Sequence, residues 1–209
     1  MTFRFADGPQ GWTAGIADYT QLITPDSMMY VADYRPVPAP FTSSALFMSS
    51  HNHTDDAFMF YKHQVPGLTP GTRYAATFTV TIATDVPQGC GGAGGAPGES
   101  VFVKAGAAAM EPVVVLDNTG NYRMNVDKGN QSTSGANAVV IGNVANDLPC
   151  VAPNVGMWRP KTLTSASGAV SVVANPDGSA WLIVGTDSGY EGVTSVYITG
   201  FDVSFHKAS

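Results

Sequence analysis

Apolar and polar residues alternate with a period of two along much of this chain. The clearest case is the stretch ending at Thr84, where Tyr74, Ala76, Phe78, Val80 and Ile82 alternate with Thr77, Thr79 and Thr81. Successive side chains of a strand point to opposite faces, so this segment reads as a half-buried strand with an apolar inner face and a threonine outer face. Upstream, AFMFYKHQV (Ala57 to Val65) is a second apolar run, and Pro66, Gly67, Pro70 and Gly71 punctuate the join. Two such runs around a turn-rich link predict an antiparallel strand pair. Shorter strands are predicted at Thr2 to Phe5, Trp12 to Tyr19, Met28 to Tyr34, Ser44 to Ser50, Val101 to Lys104 and Ala138 to Ile141, with a last one at Val196 to Phe205. Two hairpins are predicted as well. One joins Glu111–Leu116 to Tyr122–Val126 through Asp117-Asn118-Thr119-Gly120, and the other joins Ala169–Ala174 to Ala180–Val184 through Asn175-Pro176-Asp177-Gly178. Residues 142–160 read as irregular.

No window of helical length holds a 3.6-residue period with caps. About twelve short strands with Gly/Pro turns predict an all-β chain, and residues 1–209 read as a single antiparallel β-sandwich of jelly-roll type. Charged residues make up 12% of the chain, against about 25% in an average domain, so the surface is polar but weakly charged. A net charge of −6, with ten Lys and Arg scattered singly, excludes a phosphate-binding stripe and with it nucleic acid as a partner. No run reaches transmembrane length. The weakly charged surface points to an exported protein, extracellular, periplasmic or at the cell surface, with Met1 starting a chain trimmed of its leader; a cytoplasmic location is the alternative.

Cys90 and Cys150 lie in Gly- and Pro-flanked loops. A disulfide between them fits an oxidising compartment, and two free thiols are the other reading. Gly89-Cys90-Gly91-Gly92-Ala93-Gly94 satisfies G-x-G-x-x-G, but Pro97 and a valine-rich strand follow where a dinucleotide site needs a helix N-terminus. The segment reads as a flexible surface loop, pinned by Cys90.

The segment GLTPGTRYAATFTVTIA (Gly67 to Ala83) resembles the lead into a strand seen in galactose-binding-like jelly rolls and in fibronectin type III domains. The following VFVKAGA and the closing GFDVSFH are also similar to jelly-roll strands, and fibronectin modules are much shorter than this chain. The whole chain is similar, too, to a group of exported bacterial proteins of unassigned activity. The galactose-binding-like resemblance implies a carbohydrate-binding-module-type domain that binds sugar through its loops without catalysis, often with a structural calcium.

The polar loops supply the candidate residues. In His51-Asn52-His53-Thr54-Asp55-Asp56, a continuing strand would put His51, His53 and Asp55 on one face for a divalent metal. Asp187 and Glu191 sit in GTDSGYEG (Gly185 to Gly192), read as an oxygen-rich loop after a strand. Calcium takes six to eight oxygen ligands, so Asp55, Asp56, Asp187 and Glu191 are its expected ligands. Sugar recognition is expected from Trp158 and Arg159, from Tyr190, and from the amides of Asn130 and Gln131. The function read from the sequence is therefore a non-catalytic binding module for a glycan or cell-surface polysaccharide. A carbohydrate-active hydrolase using Asp56, Asp187 and Glu191 is the alternative, and a surface or adhesive structural protein is a further one.

Overall fold

The structure, a computed structural model, describes residues 1–208. Its strands are β1 (Thr2–Arg4), β2 (Thr13–Ala17), β3 (Tyr19–Thr20), β4 (Val31–Pro36), β5 (Ser44–His51), β6 (Ala57–Val65), β7 (Arg73–Thr84) and β8 (Val101–Ala108). They continue with β9 (Val114–Leu116), β10 (Asn121–Met124), β11 (Ala138–Asn143), β12 (Arg159–Thr164), β13 (Val170–Val173), β14 (Ala180–Ser188) and β15 (Val193–Lys207). A seven-stranded sheet runs β12-β7-β15-β5-β4, with β1 added to β15 and β13 to β7. A five-stranded sheet runs β11-β8-β14-β6-β2, and a small third sheet runs β3-β10-β9. The two large sheets are antiparallel and pack as a sandwich. Among the described residues no helix is long and apolar enough to cross a membrane.

The main core lies between the two large sheets. Tyr74, Ala76, Phe78, Val80 and Ile82 of β7 enter it beside Phe201 and Val203 of β15. Thr77, Thr79 and Thr81 of β7 lie on its outer face, where Thr79 pairs with Thr164 at 3.1 Å and Thr81 with Thr162 at 3.3 Å.

Two expected strand pairings are different in the structure. β6 pairs with β2 and β14, and β7 with β12, β13 and β15, so the predicted β6–β7 pair does not form. The link from Pro66 to Thr72 crosses between the large sheets, so that β6 and β7 lie in different layers of the sandwich. A gap of about 10 Å between packed sheets is within reach of so short a segment. Likewise β13 belongs to the seven-stranded sheet and β14 to the five-stranded one. The Asn175–Gly178 turn forms as expected, with the Ser179 carbonyl accepting from Asn175 N at 2.9 Å, but it joins sheets rather than hairpin arms.

β6 is apolar almost throughout because both of its faces are covered. Met59 and Tyr61 face the main core, while Phe58 and Phe60 form a second cluster with Ala17, Ala108, Val126 and Ile183 under β9 and β10. Gly15 of β2 makes room for that layer, since a Cβ there would lie 2.5 Å from the Phe60 ring.

The glycine-rich loop is packed. Gly92 lies against the Tyr190 ring so closely that a Cβ would come within 2.5 Å of it. Cys90 and Cys150 are joined by a disulfide with a Cα–Cα distance of 5.2 Å, which ties this loop to the segment before β12.

Candidate functional site

The outer layer over the five-stranded sheet holds the chain's main charge cluster. On β14, Leu182 and Val184 enter the main core, so Ile183, Gly185 and Asp187 face the outer layer. β14 runs on to Ser188, which places Asp187 inside a strand and not in a loop. Gly185 is required there, because a Cβ would lie 2.3 Å from the Met59 carbonyl. Lys104 projects from the neighbouring β8, Asp18 follows β2, Asp56 precedes β6 and Arg123 comes from β10. Lys128 is delivered by a loop that Asp127 folds: its Oδ1 accepts from Gly129 N at 3.0 Å and its Oδ2 from Ala136 N at 2.8 Å. Those two backbone bonds hold the Asp127 carboxyl below the usual carboxylate range.

Asp187 is fully buried, and its Oδ2 is the hub. It accepts from Lys128 Nζ at 2.7 Å and from Gln131 N at 2.9 Å, with Lys104 Nζ at 2.8 Å. Lys104 Nζ also donates to the carbonyls of Lys128 and Thr133 at 2.7 and 3.0 Å. Lys128 Nζ lies 2.5 Å from Asp18 Oδ2 and 4.9 Å over the Phe58 ring. Arg123 Nη1 closes the set, 3.2 Å from Asp18 and 2.7 Å from Asp56. Burial drives the Lys104 pKa down against the pull of Asp187. At Lys128 burial acts in the same sense, but the Asp187 and Asp18 carboxylates outweigh it and the pKa is raised.

Asp18, Asp56 and Asp187 each bring an oxygen within 4.8 Å of the others, close enough for the three to hold one ion. Asp187 Oδ1 and Asp56 Oδ1 are buried with no hydrogen-bond partner among the described residues. The cluster opens into a cleft of about 290 Å³. Asp18, Asp56, Arg123, Asp127 and Asn130 supply its polar lining, and Met124 and Val126 give it an apolar wall.

Burial, and then the nearby Asp18 carboxylate, push Asp56 up to about 6 against the Arg123 hydrogen bond. A carboxyl with its folded pKa above the ordinary 3.8 adds stability that is fully present below about pH 4 and lost as the pH rises through about 6. Asp56→Asn removes that loss. The variant is expected to gain on the wild type between pH 4 and 7, by no more than about 3 kcal/mol, in urea melts run at both pH values.

The structure brings some of the expected site residues together and separates others. Asp56 and Asp187 meet, and Asn130 lines their cleft. Asp55 is exposed, with φ +57°, and only its carbonyl is engaged, by Gln131 Nε2 at 2.5 Å. Gln131 therefore braces a loop with its side chain and Asp187 with its backbone. Glu191 is exposed, and its backbone N–H bonds Ala93 O beside the glycine-rich loop. The strand β5 stops at His51; the His51 and His53 rings still lie 4.0 Å apart, but Asp55 does not join them in a metal-sized group, and Asn52 is buried and donates to the carbonyls of Ser188 and Tyr190. Tyr190 is covered by the glycine-rich loop, and Trp158 packs edge-on against Tyr197 at 5.0 Å. Both side chains remain partly exposed. Arg159 starts β12, with Nε 3.6 Å from Asp147.

No family model matches this sequence, and no curated protein matches it. Solved structures match its fold. One comes from work on the promiscuous specificity of carbohydrate-binding modules of the β-sandwich superfamily: it is 13% identical over 97% of this chain and 60% of its own, with TM-score 0.47. Another is the enzymatically active domain of bacteriophage CBA120 tailspike protein 4, 10% identical over 91% of this chain and 19% of its own, with TM-score 0.36. A third is a carbohydrate-binding module in complex with β-1,4-galactotriose, 13% identical over 97% of this chain and 94% of its own, with TM-score 0.35. This chain thus spans less than two thirds of the first two. The likeness is one of fold, antiparallel sheets packed as a sandwich.

Proposed function

We propose that this chain is a non-catalytic module that binds a hydroxyl-rich ligand, a glycan, in the cleft over the Asp18–Asp56–Asp187 cluster. The observation that carries the reading is the make-up of the cleft mouth. Sugar hydroxyls both donate and accept, and the CH face of a sugar ring is apolar. Asp56 brings a partly exposed carboxylate to the lining, half-exposed Arg123 and Asn130 offer donors, and Met124 and Val126 offer the apolar wall. A few fixed polar groups beside an apolar surface suit a small-molecule site. The ion-paired floor holds those groups in place before the ligand arrives, which reduces the ordering cost of binding. Export is part of the proposal, and the Cys90–Cys150 disulfide supports it.

Calcium does not fit this cluster. Three carboxylates face three cationic side chains, Lys104, Lys128 and Arg123, so the charge is balanced without an added ion. The Lys128 ammonium, 2.5 and 2.7 Å from Asp18 and Asp187, does the bracing that a bound cation would otherwise do. The melting temperature is expected to be the same in calcium and in EDTA, and a calcium-dependent rise would contradict this reading.

Hydrolysis is the second reading, favoured by the raised pKa of Asp56, which suits a general acid, and by the carboxylates beside it. Against it, the Asp18 side chain is only 3% exposed and is held by Arg123 and Lys128, which shields it from a substrate or an attacking water. A thermal-shift screen against soluble oligosaccharides, with reducing ends assayed in the same wells, tests both readings. Binding is expected to raise the melting temperature without release of reducing ends. No shift with any saccharide defeats the binding reading, and release of reducing ends makes the domain an enzyme.

A further inference from the structure

A second cleft, on the other side of the five-stranded sheet, takes no part in the site above. It lies where the sandwich is open between its edge strands β11 and β12 and has a volume of about 450 Å³, within the range of small-molecule sites. Elsewhere the space between the large sheets is filled by apolar side chains. Here it is lined by Gln88, Glu99, Asn143, Asn146, Asp147 and Lys161. Lys161 stands opposite Ile82, which is buried in the core, so its side chain enters from the inner face of β12. Its Nζ donates to Asn143 Oδ1 at 2.9 Å and to the Ala145 carbonyl at 2.6 Å. An ammonium has three donors, so one remains. Glu99 Oε1 accepts from Gly89 N at 2.6 Å, while Oε2 is buried with no hydrogen-bond partner among the described residues. An unpaired buried carboxylate oxygen is unfavourable unless something supplies a donor.

The two walls of this cleft come from segments far apart in sequence. Gln88 N donates to Leu148 O at 2.9 Å, Asn146 N donates to Val86 O at 2.8 Å, and the Cys90–Cys150 disulfide closes just beyond. Glu99 and Asp147 are offset by Lys161 and by Arg159, whose Nε lies 3.6 Å from Asp147, so the lining favours neither a cation nor an anion.

We propose that this cleft is a second ligand site, for a neutral saccharide unit, with Glu99 Oε2 accepting from ligand hydroxyls, Lys161 and the amide of Gln88 completing the contacts, and the disulfide clasping the two walls. The proposal does not depend on the first cleft. The two sites together would let the domain hold a polymer at two points.

The test is a titration of ¹⁵N-labelled protein with glucose, galactose, mannose, xylose, N-acetylglucosamine and their methyl glycosides at millimolar concentration, followed by amide shifts. At least one sugar is expected to move the amides of Gln88, Glu99, Asn146 and Lys161. Glu99→Gln turns the acceptor at Oε2 into a donor and is expected to weaken that binding tenfold or more, while the spectrum itself reports that the fold is kept. The Cys90→Ser/Cys150→Ser variant is expected to weaken it as well. If no sugar moves these amides, or if only those around Asp56 and Asn130 respond, the second site is overturned and the first cleft is untouched. Shifts that persist unchanged in Glu99→Gln overturn it too, and unchanged affinity without the disulfide overturns the clasp.

Discussion

Asp187→Ala is expected to lower the stability of this domain by about 3–5 kcal/mol, the range found when one partner of a buried ion pair is removed. Asp187 Oδ2 is the shared acceptor for Lys104, Lys128 and the Gln131 backbone, and Lys104 is as fully buried as Asp187 itself. Without the carboxylate, the Lys104 ammonium keeps only the Lys128 and Thr133 carbonyls, and a buried charge without a counter-ion is costly. Urea denaturation measures the loss directly. Asp187→Leu with Lys104→Met removes both charges together, and this double variant is expected to be less destabilised than Asp187→Ala alone. A loss below about 1 kcal/mol for the single variant would place the cluster in the class of solvated surface pairs.

Loss of the disulfide has the next largest expected effect. The bond closes a sequence separation of 60 residues, for which the chain-entropy model gives about 4 kcal/mol. Cys90→Ser/Cys150→Ser should show that loss in a urea melt, and a reducing agent should produce the same loss in the wild type. A much smaller effect would mean that the backbone bonds between residues 86–88 and 146–148 hold the loops by themselves.

Local structure was legible in the sequence where one face of a strand meets the core and the other meets water. The alternation of β7 assigns its faces residue by residue, and the closing strand is legible from Val196 to Phe205. Alternation says which way a side chain points, not which strand lies alongside, so it could not tell a hairpin from a crossing between sheets. That is why the β6–β7 and β13–β14 pairings were misplaced. β12 carries little apolar alternation because it is an edge strand whose exposed positions carry Thr162 and Thr164.

Half of the candidate site was hidden for a related reason. The glycines Gly185 and Gly189 make Asp187 look like a loop residue, yet Gly185 serves close packing against Met59 within the strand. Asp18, Lys104, Arg123 and Lys128 carry no recognisable motif. A signal was present: Lys104 interrupts the run VFVKAGAA, and Asp187 interrupts WLIVGTDS, each a charge inside an otherwise buried strand. A buried charge needs a partner, so the two could have been matched as opposite signs on adjacent strands. Trp158 and Tyr190 are partly buried and pack against the main core, a contact that alternation cannot foresee in irregular segments.

The most direct test of the central claim is a glycan-array measurement on the wild type, Asn130→Ala and Asp56→Asn. Asn130 lines the cleft, and its side chain takes no part in the ion-pair network. The account predicts binding to at least one glycan by the wild type, weakened tenfold or more in both variants while the Asn130→Ala melting temperature stays at the wild-type value. Binding that is equally strong in all three proteins, or absent from the wild type, would contradict it.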